Sequence, residues 1–206
     1  MLLIELHHLP CLNFFSEILS ANKVLIEQHE SYQKQTYRNR CRILTANGVQ
    51  TLTVPVQQAN SKLPIRDVRI DDRQPWQRQH WGAIRVGYSK APFFEHYQDF
   101  FQPFYERKYD FLFDYNWEIL TICLKLLGVK TTVALTDCYL KAPDNEMFNA
   151  RSTICYPKNG VFTDNYLPKS YQQNFGVEFA VNLSVIDLLF CQGPQAKYIL
   201  QQTLRC

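Results

Sequence analysis

Hydrophobic positions change their period along this chain, and the changes outline its elements. Leu2–Leu6 is a short, mostly apolar run, the pattern of a strand covered on both faces. Pro10 stops it and opens a helix over Cys11–Ala21, in which Leu12, Phe15, Ile18 and Leu19 recur at helical spacing. A second apolar run, Lys23–Glu27, completes a strand–helix–strand unit whose two strands are expected to lie parallel. Ser31–Asn39 is polar and reads as a loop or a short turn of helix. Cys41–Leu44 and Val49–Val56 flank Ala46-Asn47-Gly48, which predicts an antiparallel hairpin closed by a type I′ turn. Gln57–Lys62 reads as a loop, and Ile65–Ile70 as an edge strand of imperfect alternation.

The second half is helical in pattern. Pro75 opens a helix to Tyr88, and Pro92 opens another that Pro103 bends or ends. Asp114 is placed to cap a third helix running to Leu127, with Gly128 just beyond its end. Thr131–Leu135 reads as a strand. Asp137–Asn174 is irregular, with one short strand expected at Thr153–Tyr156. Ser184–Cys191 is a buried helix ended by Gly193, and Pro194 opens a last helix to about Leu204. Together these predict one α/β domain over residues 1–206. A small, mostly parallel sheet begins it, an antiparallel hairpin extends the sheet, and aromatic-rich helices cover it.

Composition sharpens this picture only in places. The chain of 206 residues is long enough to bury a self-sufficient core, and its 14% aromatic content must line that core or a concave site. A net charge of +3 is far below the basic density of a nucleic-acid binder, so no nucleic-acid partner is expected. The 7 cysteines show no CxxC pair, which predicts reduced thiols and a cytoplasmic location. MLLIELHH has no basic region ahead of its apolar residues and is not read as a signal peptide. No apolar stretch is long enough for membrane insertion.

Candidate chemistry concentrates between Val24 and Val56. A parallel unit brings His7 and His8, after the first strand, and Glu27, His29 and Glu30, at the end of the second, to the carboxyl edge of the sheet, where open α/β sheets bind ligands. Imidazoles and carboxylates there are candidates for proton transfer, with His8, Glu27 and His29 as catalytic choices. Lys34, Arg38 and Arg40, with Asn39 between them, place three cations within seven residues, and the guanidinium forks suit a phosphate or carboxylate. The competing reading is a set of solvated surface charges. Ser184 and Asp187 fit a capping box, and the same helix start is also an anion site. Cys11 at a helix start is a weak nucleophile candidate, its thiol expected to be acidified. Neither HxxxH nor HExxH occurs, so no metal is expected, and no cofactor is specified. GxGxxG, P-loop and GxSxG patterns are absent too, so any nucleotide would be held by side chains and a helix start.

The blocks YQKQTYRNRCRIL, NGVQTLTVPV, VGYSKAPFFEHY and NLSVIDLLFCQGP, in that order, resemble the WbqC-like protein family. The resemblance implies a role in O-antigen or other surface-polysaccharide synthesis, and an acyl- or aminoacyl-type transfer, such as glycyl transfer, to a sugar. It places Tyr88 and Lys90, from the YSKAPFF block, at the site and implies an anionic small molecule or sugar nucleotide as ligand. One departure is visible: His8 precedes Leu9-Pro10 and Phe14-Phe15 follows, where the family tends to carry an aromatic and a Tyr-Phe pair, so a family tyrosine hydroxyl has no counterpart here. Two other readings stand beside this one. The chain is a non-catalytic scaffold whose aromatics form a partner surface, or a nucleotidyl-transfer enzyme, although the Gly-His pairing of that chemistry is missing.

Overall fold

β1 (Leu2–Glu5), α1 (Leu12–Ser20) and β2 (Lys23–Glu27) form the expected parallel unit, with Leu2 opposite Val24 and Glu5 opposite Glu27. The computed structural model describes residues 1–57, 62–141, 146–154 and 162–204. β5 (Thr132–Leu135) pairs parallel with β2, and β6 (Phe148–Asn149) pairs parallel with β1, so the sheet order is β5-β2-β1-β6. All its described strands point the same way, and their carboxyl ends share one edge.

β3 (Arg40–Thr45) and β4 (Gly48–Thr53) form the hairpin, but as a separate two-stranded sheet and not as an extension of the parallel one. Its turn is not type I′, because only Gly48 among the turn residues takes a positive φ, at 95°. Thr45 explains the difference: its hydroxyl donates to the Gly48 carbonyl at 2.9 Å and accepts from the Asn47 N–H at 3.3 Å, holding the turn by a side chain instead.

The edge strand expected at Ile65–Ile70 is instead a 3₁₀ turn, Ile65–Asp67, followed by single bridges from Arg69 and Ile70. Buried Ile65 and Val68 are three residues apart, the spacing of a tight helical turn rather than of a strand. The strand expected at Thr153–Tyr156 is also displaced. β6 lies earlier, Thr153 and Ile154 are in a turn, and Tyr156 falls outside the described residues.

Helices α2 (Trp76–Tyr88), α3 (Phe94–Phe101), α4 (Pro103–Glu106), α5 (Leu112–Leu126), α6 (Val185–Gln192) and α7 (Ala196–Gln202) cover the sheets. Asp114 does not cap α5, which starts two residues earlier. It lies in the first turn, where a negative charge complements the helix dipole. Phe190 of α6 packs against Tyr88, Phe94 and Phe101, and Trp76, His80 and Tyr115 form a second aromatic cluster. No described helix is long and apolar enough to cross a membrane.

Candidate functional site

The register of β1 and β2 sets two carboxylates side by side at the carboxyl edge, Glu5 and Glu27, both buried. Like charges directly opposite are unfavourable, so each must be held by donors. Glu27 Oε1 accepts from the His29 N–H and the Thr136 hydroxyl, both at 2.9 Å. Its Oε2 accepts from the Leu140 N–H at 3.2 Å and Arg151 Nη1 at 3.1 Å. Four donors close this carboxylate off.

Glu5 is held differently. Oε2 accepts from the Ser152 N–H at 2.9 Å, and Oε1 lies 3.3 Å from His7 Nε2 and 3.7 Å from Arg38 Nη1. Burial pushes the Glu5 carboxyl up, but the His7 hydrogen bond and the nearby positive charge outweigh it and hold it below the usual carboxylate range. Burial likewise lowers the His7 pKa and keeps the ring neutral, stacked 5.2 Å from Tyr37.

Arg38 completes the cluster. Its guanidinium is only 1% exposed and donates bidentately to Glu30, Nε at 2.7 Å and Nη2 at 2.6 Å. Nη1 sits between Thr36 Oγ1 at 3.4 Å and Glu5 at 3.7 Å, both long contacts. A cleft of about 200 Å³ opens directly above. Glu5 and Arg38 form its floor, Gln33, Gln35 and Thr36 one wall, and Ser152 and Ile154 the other. Gln35 and Ser152, on opposing walls, hold left-handed backbone at φ 60° and 61°. Such strain in side-chain-bearing residues gathers at ligand sites.

The residues singled out in the sequence divide among several places. Glu27, His29, Glu30 and Arg38 meet at the carboxyl edge, and Lys34 is exposed on the loop whose neighbours Gln33 and Gln35 line the cleft. His8 does not line the cleft. Its ring is fully buried on Tyr115, with Nδ1 3.2 Å from Asn116 Oδ1. Because the Asn116 amide nitrogen donates to the Arg38 carbonyl, its oxygen faces the imidazole and Nδ1 carries the proton. Asn39 ties the loop to the hairpin, donating to the Val54 carbonyl at 2.9 Å, and Arg40 begins β3 half-buried.

Tyr88 and Asp187 belong to another buried cluster. Tyr88 donates to Asp187 Oδ1 at 2.9 Å and accepts from the Leu44 N–H at 3.0 Å, while Tyr171 and Gln173 donate to Oδ2. Burial raises the Asp187 pKa against these three donors. Ser184 does cap α6, accepting from the Ile186 N–H at 3.5 Å, but Asp187 turns away to the tyrosines, so the reciprocal half of the capping box is not made. Lys90 is exposed beside this cluster, on a cavity of about 250 Å³ shared with Gln173, Asn174 and Cys191. Cys11 is not acidified: burial pushes its thiol up to about 11. A hollow of about 530 Å³ beside Gln57, Asp71, Asp72 and Arg73 is an open surface feature lined by none of the buried charges described above.

Glu5, Thr36, Arg151 and Ser152 went unremarked in the sequence. A signal for Glu5 existed, since a carboxylate inside the run LLIEL must find partners if that run is buried. Ser152 contributes through its backbone, and no side-chain pattern announces that.

Residues 7–156, which carry Arg38, both cleft walls and every strand but β1, match the WbqC-like protein family. The chain belongs to that family. A relative in Mycobacterium tuberculosis (strain ATCC 25618 / H37Rv), the uncharacterized protein Rv1507c, is 28% identical over 221 aligned positions covering 94% of each chain. No solved structure matches. Among the described residues no group of three or more His, Cys, Asp or Glu side chains is placed to hold a metal ion.

Proposed function

We propose that the chain is a group transferase that passes an acyl or aminoacyl group to a sugar, as part of surface-polysaccharide assembly, with the carboxyl-edge cleft as its active site. The observation that carries the reading is the Glu5–Arg38 floor. Burying several charges at a sheet edge costs stability that an apolar edge would not, and clusters of this kind are characteristic of chemical sites. Family membership supports the sugar-linked setting.

In this reading the acceptor's hydroxyl or amine donates to Glu5, which receives its proton as the acceptor atom attacks the acyl carbon of an activated acyl donor. The bond from that carbon to the donor's leaving oxygen or sulfur then breaks, and Glu5 returns the proton to the leaving group. Arg38 Nη1, the guanidinium nitrogen not committed to Glu30, offers a donor to the carbonyl oxygen as negative charge develops there. Thr36 and the two glutamines supply neutral hydrogen bonds to sugar hydroxyls. A cavity of about 200 Å³ suits one small group more than a whole nucleotide, since nucleotide-sized ligands occupy pockets of roughly 300–1,000 Å³.

A thermal-shift screen against sugars, amino acids, sugar nucleotides and nucleoside triphosphates, repeated with Thr36→Val and Glu5→Gln, tests this. The expected result is a sugar- or amino-acid-dependent rise in melting temperature that Thr36→Val diminishes and Glu5→Gln removes. A ligand shift that survives both substitutions places the site elsewhere.

A further inference from the structure

On the other side of the Ser152–Ile154 segment lies a second cavity, about 500 Å³, that the proposed transfer does not use. Thr153 faces it, while its neighbours Ser152 and Ile154 line the first cleft, so the two are back to back. Its wall includes Glu17 of α1, a carboxylate only 1% exposed. Oε2 accepts from Asn165 Nδ2 at 3.0 Å, but Oε1 is buried with no hydrogen-bond partner among the described residues. An acceptor left unpaired in that way is costly, and what satisfies a carboxylate best is a cationic donor. No Lys, Arg or His side chain stands among the described residues lining the cavity, whereas a second carboxylate, Asp164, does. Phe148, 57% exposed, and Phe162 add two rings, and Thr163 is fixed by donating to Asn13 Oδ1 at 2.6 Å.

We propose that this cavity binds the primary ammonium group of a small polar amine, with Glu17 as the counter-ion and Phe148 as a ring face against the cation or the ligand's carbon skeleton. A buried carboxylate selects positive charge over a neutral isostere, and an aromatic face adds to the same preference. Amino sugars, amino acids and diamines share this chemistry and differ in the body that must fit.

The test titrates the whole protein with glucosamine, glycine and putrescine, and with N-acetylglucosamine as the uncharged counterpart, reading affinity by calorimetry and location by backbone amide shifts. The expected result is binding of at least one amine, with shifts at Thr153, Thr163 and Asn165, and with N-acetylglucosamine much weaker than glucosamine. Which amine binds identifies the source. Glu17→Gln should lower the affinity by at least about tenfold, the worth of a hydrogen bond to a charged group. If Glu17→Gln does not fold, Phe148→Ala, at a half-exposed side chain, should still weaken binding by about two- to fivefold. The proposal is overturned if no amine binds, if the neutral sugar binds as well as glucosamine, if the shifts appear at Gln33 and Thr36 instead, or if the readable variant binds like the parent. Because Thr36 and Glu5 belong to the other cleft, failure here leaves the transferase reading standing, and the reverse.

Discussion

Arg38 holds two buried carboxylates at once, so its replacement leaves both without that cation. Arg38→Met leaves Glu30 and Glu5 buried without their shared cation and is expected to cost about 3–5 kcal/mol, read as a fall in the urea midpoint. Tyr88→Phe removes both a donor to Asp187 and the acceptor for the buried Leu44 N–H, and is expected to cost about 1–3 kcal/mol in the same measurement. Two histidines make the fold acid-sensitive. Burial lowers His8, helped by the adjacent His80, to about 3, and lowers His80 to about 4, from an ordinary value of 6.5. Below pH 6.5 the unfolded chain therefore binds protons that the native rings refuse. Stability rises with pH through this range and is lost as pH falls from 6.5 toward 4, by up to about 1.4 kcal/mol per unit for each ring. Melting temperature followed from pH 8 to pH 5 should decline on the acid side of neutrality, and His80→Phe should flatten that decline. An unchanged pH profile would mean that His80 titrates normally in the fold.

At the scale of elements, the contact between α2 and β3 depends on a glycine. A Cβ at Gly87 would stand 2.8 Å from the Leu44 carbonyl oxygen, a backbone atom that cannot swing aside. Gly87→Ala should thus push α2 off the hairpin, strain the hydrogen bond between Tyr88 of α2 and Leu44 of β3, and cost about 1–3 kcal/mol. Hydrogen exchange localises the effect: the Leu44 amide should lose protection before the amides of β1 and β2. Equal loss everywhere would point to global destabilisation without a specific displacement of α2. The N-terminus of α6 is held twice over, by the Ser184 side chain and by backbone bonds from Ser184 to Arg42 and from Val185 to Pro10, which tie the helix to the hairpin and to the segment that leads into α1.

For the molecule as a whole, the sulfur chemistry follows from burial. Cys11, Cys41, Cys123 and Cys191 are buried free thiols, with Cys11 pushed up to about 11 and Cys191 to about 12, whereas Cys138 is exposed. A thiol reagent should modify Cys138 in the native protein within minutes and reach those four only on unfolding, as mapped by mass spectrometry of labelled peptides. Early labelling of Cys11 would contradict its burial at the start of α1.

The sequence alone determined the parallel β1–α1–β2 unit, because two short apolar runs joined by one helix-length amphipathic segment permit almost no other connection. Helices α2 and α3, from their proline starts, and α5, from its run up to Gly128, were equally legible, since these are local signals. It also marked Val24–Val56 as the stretch densest in ionisable and polar side chains, and the fold gathers Glu27, Glu30 and Arg38 from it at the carboxyl edge. What each charged residue does there was decided only by tertiary structure. Arg38 turned inward to Glu30 and Glu5 because the fold buries those two carboxylates within reach of one guanidinium, Glu5 at the end of β1 and Glu30 in the loop after β2, and a carboxylate needs a cation only once it is buried. His8 went into the aromatic core because the chain after β1 packs under α5, which a run of residue types does not record. Ser152 reached Glu5 across 147 positions through its backbone N–H, a group every residue but proline carries, so no choice of side chain marks it.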